Sequence, residues 1–274
     1  MPRPACSEKV SSTVAVAQTF DIDIPTDHFI HAMLIGIGEG ATSDAQALAD
    51  DLTDISLILN GNNYVKEMTA PMCKAISIMN KHLMSTGYYM LYFTDPKVPQ
   101  AKPIPAWLFS SIILRLKDIA PAASNYHHIH ATVFQSKRHD ISGNWQLLVE
   151  KYLRWKKYGA NTGWMDYDHE RAYRIFGYLY TVDDNATLSD TEFDMLTLLG
   201  IKPDGEHRIV DEEYMSHIKE MNTTAYQHAL DTGYFYMEFP DGYDSGQYRT
   251  LVSKLNIPTA ATNAGLRVLE RYLM

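Results

Sequence analysis

The chain has 274 residues, 46% of them hydrophobic and 21% charged, which is enough apolar material for two ordinary cores and excludes an intrinsically disordered chain. A net charge of −9 argues against a broad nucleic-acid surface, because phosphate contact draws on an excess of Lys and Arg. No apolar run approaches the roughly 20 residues that a membrane-spanning helix needs.

MPRPACSEKVSSTVAVAQT at the start has two prolines and no continuous apolar h-region, so no secretory signal is expected and residues 1–13 read as a flexible arm. In 14–24, Phe20, Ile22 and Ile24 alternate with Asp21 and Asp23, the period of a half-buried strand. Further strands are predicted over 29–38, 54–60, 87–93, 107–116 and 128–134, all rich in β-branched or aromatic residues and bounded by Gly, Pro, Asn or Asp. The stretch from Met72 to Leu83 reads as a helix. Next comes the most basic segment, within 141–164, where Leu148, Tyr152 and Trp155 recur at helical spacing beside Lys151, Arg154, Lys156 and Lys157. It reads as an amphipathic connector packing its aromatic face on one domain, with an anionic contact as the functional alternative. Strands follow over 173–182, 193–201, 233–239, 250–257 and 265–273, with a helix from Tyr214 to Leu230.

The chain also repeats itself. TGYYMLYFTD at 86–95 returns as TGYFYMEFPD at 232–241, and APAASN at 120–125 returns as PTAATN at 258–263. Each pair occupies the same place in the order of predicted elements, so two copies of one domain are expected. The expected division is an arm over 1–13, a first domain over 14–137, a connector over 138–167 and a second domain over 168–274. Many short strands with turns between them imply an all-β fold: two tandem eight-stranded antiparallel jelly-roll sandwiches with short helices in loops.

The repeated aromatic strands and their APAASN and PTAATN partners give the chain a resemblance to the double jelly-roll major capsid proteins of tailless icosahedral internal-membrane phages, the corticovirus and tectivirus-like lineage. That resemblance covers residues from about 14 to the end. It implies a structural protein without an active site, assembling as pseudo-hexagonal homotrimers that tile an icosahedral virion shell. Its expected partners are further copies of itself, a vertex or penton protein and the internal viral membrane, with no specific nucleic acid. It places the protein in the virion capsid after synthesis in the host cytoplasm, with Arg3 and Lys9 of the arm facing the shell interior.

Two alternatives rest on particular residues. In His127-His128-Ile129-His130, His128 and His130 share a strand face and could chelate a transition metal, as in a duplicated-cupin metalloenzyme. The ligand Glu that cupins place a few residues later is absent, since Thr132, Val133, Phe134 and Gln135 follow. The matching strand around Leu266 and Val268 carries no histidine. Eighteen Tyr and four Trp raise a carbohydrate-binding sandwich as the other alternative, against core packing of the same rings. Acidic turns at Asp183-Asp184-Asn185, Asp204-Gly205 and Asp241-Gly242-Tyr243-Asp244 offer oxygen ligands for structural calcium, with Asp183, Asp184, Asp241 and Asp244 as candidates; turn chemistry explains the same residues. No cofactor is expected to be required. Neither Cys6 nor Cys73 has metal-site spacing, and both are expected as free thiols. Nucleophile-elbow, zincin and phosphate-loop motifs are missing.

Overall fold

The computed structural model describes residues 3–10, 17–40, 47–48, 50–119, 126–137, 145–159, 162–171, 173–258 and 263–274. In chain order the first half gives β1 (Arg3–Val10), β2 (Thr19–Asp23), β3 (Phe29–Gly40), β4 (Ala47–Leu48), β5 (Leu52–Leu59), β6 (Asn63–Thr69), α1 (Ala70–Met79), β7 (Tyr88–Tyr92), β8 (Ile104–Pro105), β9 (Ile112–Asp118) and β10 (Tyr126–Ser136). The second gives β11 (Leu148–Gly159), β12 (Gly163–Asp168), β13 (Arg174–Asp184), β14 (Thr187–Leu188), β15 (Met195–Lys202), β16 (Gly205–Tyr214), α2 (Met215–Tyr226), β17 (Tyr234–Asp244), β18 (Thr250–Ile257) and β19 (Ala264–Leu273). The chain divides into two compact units, residues 1–151 and 152–274.

In the first unit, β1, β10, β3 and β7 pair in that spatial order, and β2, β9, β5 and β6 pair in a second set. The second unit repeats both orders, with β11, β19, β13 and β17 in one set and β12, β18, β15 and β16 in the other. Each unit is therefore four strands plus four in one shared order, with a helix between its fifth and sixth principal strands. This is the expected pair of eight-stranded jelly rolls.

Side-chain alternation explains the faces. In β2, Phe20 and Ile22 are buried while Thr19, Asp21 and Asp23 face solvent, as the period of two predicts. In β9, Ile112, Leu114, Leu116 and Asp118 all turn inward. Thr69 caps α1 by accepting from the Met72 amide, and Pro71 occupies the first turn, where its missing N–H costs nothing. The helix ends well short of Leu83 because the Asn80 side chain bonds the Ile76 carbonyl and Lys81 takes a left-handed φ of 61°.

Three sequence expectations need correction. The arm is a strand: β1 pairs along its whole length with β10, from Arg3 opposite Gln135 to Val10 opposite His128. The connector helix is also absent, since 148–159 and 163–168 are the first two strands of the second sandwich. Leu148, Tyr152 and Trp155 fit a helical period, but the segment pairs instead as β11 with β19 and, at Glu150 and Lys151, with β6. The predicted strand over 107–116 begins only at Ile112, after a 3₁₀ turn at Ala106–Leu108. The matched segment 120–125, most of its partner 258–263, residues 14–16 and residues 138–144 lie outside the described residues.

Candidate functional site

The repeated TGY sequence marks one polar clamp built twice. Gly87 has φ 74° and Gly233 φ 79°, a left-handed conformation that glycine adopts without strain. The Gly87 amide donates to Asp50 Oδ1 at 2.7 Å, and the Gly233 amide donates to Asp190 Oδ1 at 2.7 Å. Each carboxylate also takes a lysine from the helix of its own unit: Lys74 Nζ reaches Asp50 at 2.6 Å, and Lys219 Nζ reaches Asp190 at 2.5 Å. Both ammonium groups sit over the next aromatic but one, Tyr89 at 5.1 Å and Phe235 at 5.4 Å. Each glycine carbonyl accepts at 2.8 Å from the unit's third principal strand, at Ile37 and at Val182. Partial burial of Asp50 opposes its ionisation, but the bonds from Lys74 and Gly87 outweigh it and hold the carboxyl below the usual range. These contacts lock helix, turn and strand together.

Histidine chemistry falls on a different residue from those predicted. His128 and His130 do share a face of β10, opposite Gly38 and Gly36 of β3. Their neighbour His127 points the other way, buried, with Nδ1 2.7 Å from Asp118 Oδ2 and Nε2 3.0 Å from Asp51 Oδ2. Burial disfavours the imidazolium, yet the Asp118 bond and the charges of Asp118 and Asp51 win and raise its pKa above the ordinary histidine value. Among the described residues, one group of three metal-ligating atoms lies within 4.8 Å of one another, from Glu39, Asp51 and His127. A sequence signal for this cluster existed, because Asp118 continues the inward alternation of Ile112, Leu114 and Leu116.

The calcium candidates are dispersed. Asp183 Oδ1 accepts from the Ala186 amide and Asp244 Oδ1 from the Gly246 amide, which is turn chemistry, while Asp184 Oδ1 accepts from the Asn263 amide 79 residues away. The Asp241 carbonyl accepts from Arg174. Asp244 pairs with Arg174 at one end of β13 while Asp183 and Asp184 lie at the other, about 30 Å away at 3.3 Å per residue.

The second sandwich holds an arrangement that sequence motifs did not reveal. His169 Nδ1 lies 2.9 Å from Glu270 Oε1 and its Nε2 lies 2.6 Å from Ser253 Oγ, the order of a Ser-His-acid relay. Ser253 and Glu270 are 0% exposed, and Tyr180 also bonds the Ser253 hydroxyl at 2.8 Å. With no face open to a substrate, the group works as a tie between β18, β19 and β13, strands from both sheets. Cys73 is likewise buried, and burial pushes its thiol up to about 12. Two basic residues of β11 are spent locally: Lys156 donates to the Asp166 carbonyl, and Lys157 covers the Trp155 ring at 4.1 Å.

Exposed Trp164 borders a groove of about 250 Å³ with Arg208, Lys254, Glu206 and Glu212. Its charges largely answer one another, with Lys254 3.7 Å from Asp166 and Arg208 3.9 Å from Glu206.

No family model matches the sequence, and no curated protein does. Solved structures do. The crystal structure of the STIV MCP aligns with a TM-score of 0.74 at 11% identity, over 98% of this chain and 97% of that one. The major capsid protein P2 from Bacteriophage PM2 gives 0.70 at 12%, over 98% of both chains. The PBCV-1 virus capsid gives 0.62 at 10%, over 100% of this chain and 94% of that one. Two four-plus-four sandwiches in one strand order, matched end to end by such structures, establish that the chain has the double jelly-roll fold of viral major capsid proteins.

Proposed function

We propose that this protein is a structural major capsid protein whose homotrimers form pseudo-hexagonal blocks tiling an icosahedral virion shell, and that it is not an enzyme. The observation that carries this reading is the duplicated sandwich with end-to-end likeness to capsid subunits. A trimer of single sandwiches presents three like edges, whereas doubling each chain gives six, one for each neighbour in a hexagonal layer. A cyclic trimer uses heterologous contacts, in which one face of a subunit meets a different face of the next. Leu83, Leu108, Ile201, Tyr214 and Met221 are large apolar side chains exposed on the single chain and available for such contacts. The relay-like cluster around His169 is sealed, which fits a structural role. We extend the reading to a phage with an internal membrane, with a vertex protein and that membrane as further partners.

Light scattering on the purified full chain tests the proposal. The expected result is a stable particle of three chains, with six-sided outlines by negative-stain electron microscopy. A chain that stays monomeric at every concentration reached would overturn it.

A further inference from the structure

One ionisable cluster lies outside the clamps and the His169 tie. His127 near the start of β10 stands opposite Glu39 near the end of β3, while Asp51 precedes β5 and Asp118 closes β9. These four residues therefore come from both sheets of the first sandwich.

The hydrogen bonding around His127 sets its tautomer. Asp118 is 1% exposed, its Oδ1 accepts from the Gln18 amide at 2.6 Å, and its Oδ2 faces His127 Nδ1. An ionised carboxylate only accepts, so Nδ1 carries the hydrogen. Nε2 faces Asp51 Oδ2 3.0 Å away, so a positive centre belongs between them; a proton on Nε2 fills that place in the metal-free protein, and a divalent ion can displace it. A carboxylate behind the ring is also the usual partner of a metal-bound histidine, fixing its orientation and raising its basicity. In a tetrahedral site with bonds of about 2.0–2.1 Å, neighbouring ligand atoms stand roughly 3.3 Å apart. Nε2 and Asp51 are already near that separation, and a Glu39 oxygen lies within 4.8 Å of both.

We propose that Glu39, Asp51 and His127 bind one zinc-class divalent ion, oriented from behind by Asp118, and that the ion pins the two sheets of the first sandwich together. One imidazole with two carboxylates suits a borderline metal, whereas calcium takes six to eight oxygens. The matching cross-strand pair in the second sandwich is Asp184 with Ala264, where no imidazole exists. The expected stoichiometry is one ion per chain. The proposal stands apart from the capsid reading, since it concerns a single subunit in any assembly state.

The test uses the full chain, freed of metal with a chelator and titrated with Zn²⁺, with Co²⁺ as the spectroscopic probe. Expected are one tight equivalent of Zn²⁺, a rise of several degrees in Tm, and visible d–d absorption with Co²⁺. Glu39→Gln and Asp51→Asn should each abolish the Tm rise, and Asp118→Asn should weaken binding about 10- to 100-fold. Absence of saturable binding by the wild-type chain overturns the proposal without any variant. So does tight binding that persists unchanged in both Glu39→Gln and Asp51→Asn.

Discussion

Two glycines with nearly the same backbone separate conformational strain from close approach. Gly61 has φ +80° and open space where a Cβ would stand, while Gly233 has φ +79° and would set a Cβ 2.6 Å from the Val182 carbonyl oxygen. Gly61→Ala should then cost only the left-handed penalty, about 1–2 kcal/mol. Gly233→Ala must also move β13 or the turn, and we expect a loss of about 3 kcal/mol or more by chemical denaturation. Equal losses would mean that the close approach relaxes freely. The Gly-Tyr pair was legible in the sequence because it repeats. The carboxylates that hold it were not, since Asp50 lies 37 residues before Gly87 and Asp190 lies 43 before Gly233. His127 was passed over for a related reason: the alternation of β10 separates it from His128 and His130, but only pairing reveals which face meets Asp118 and Asp51.

Strands whose apolar residues alternate regularly are legible in the sequence, at the edge β2 as well as inside the sheets, and strands with polar or irregular patterns are not. β2, β3, β9, β13, β18 and β19 carry regular apolar residues because each packs on a core. β16, with the sequence GEHRIVDEEY, has few apolar residues to show, and its pattern is mostly exposed. β6 was hidden by a different feature, a buried charge. Lys66 Nζ bonds Glu150 Oε2 at 2.8 Å, and the two side chains are 0% and 1% exposed. Glu150 lies within the segment whose spacing suggests a helix, and it faces Lys66 in parallel register near the start of β11. Removing one charge leaves the other buried and uncompensated, so Lys66→Met or Glu150→Leu alone should destabilise by about 3–5 kcal/mol. The double variant, packed with apolar groups, should recover most of that loss. A double variant that stays well below the wild type in stability would show that the ions are worth more than their desolvation cost.

At the scale of the whole chain, the error in the sequence reading was one of frame. Taking residues 1–13 as an arm and 138–167 as a connector leaves the first sandwich without β1 and the second without β11 and β12. Counting β1 with β2, and β11 with β12, restores the same four-plus-four order in both halves. The frame was hard to see because β1, β11 and β12 lack a regular alternation of apolar and polar residues, while the strongest repeats, in the TGY strands, fall late in each copy. The two frames predict opposite outcomes for a truncation. If residues 1–10 were an arm, deleting them would impair assembly and leave the folded chain intact. As β1 they cover the outer edge of β10, from His128 to Gln135. Deletion exposes a row of unpaired amides and carbonyls beside a buried apolar face, the arrangement that invites aggregation. We expect the truncated chain to lose hydrogen-exchange protection across β10 and to aggregate or melt at a clearly lower temperature. A truncated chain with full β10 protection and an unchanged Tm would return these residues to the role of an arm.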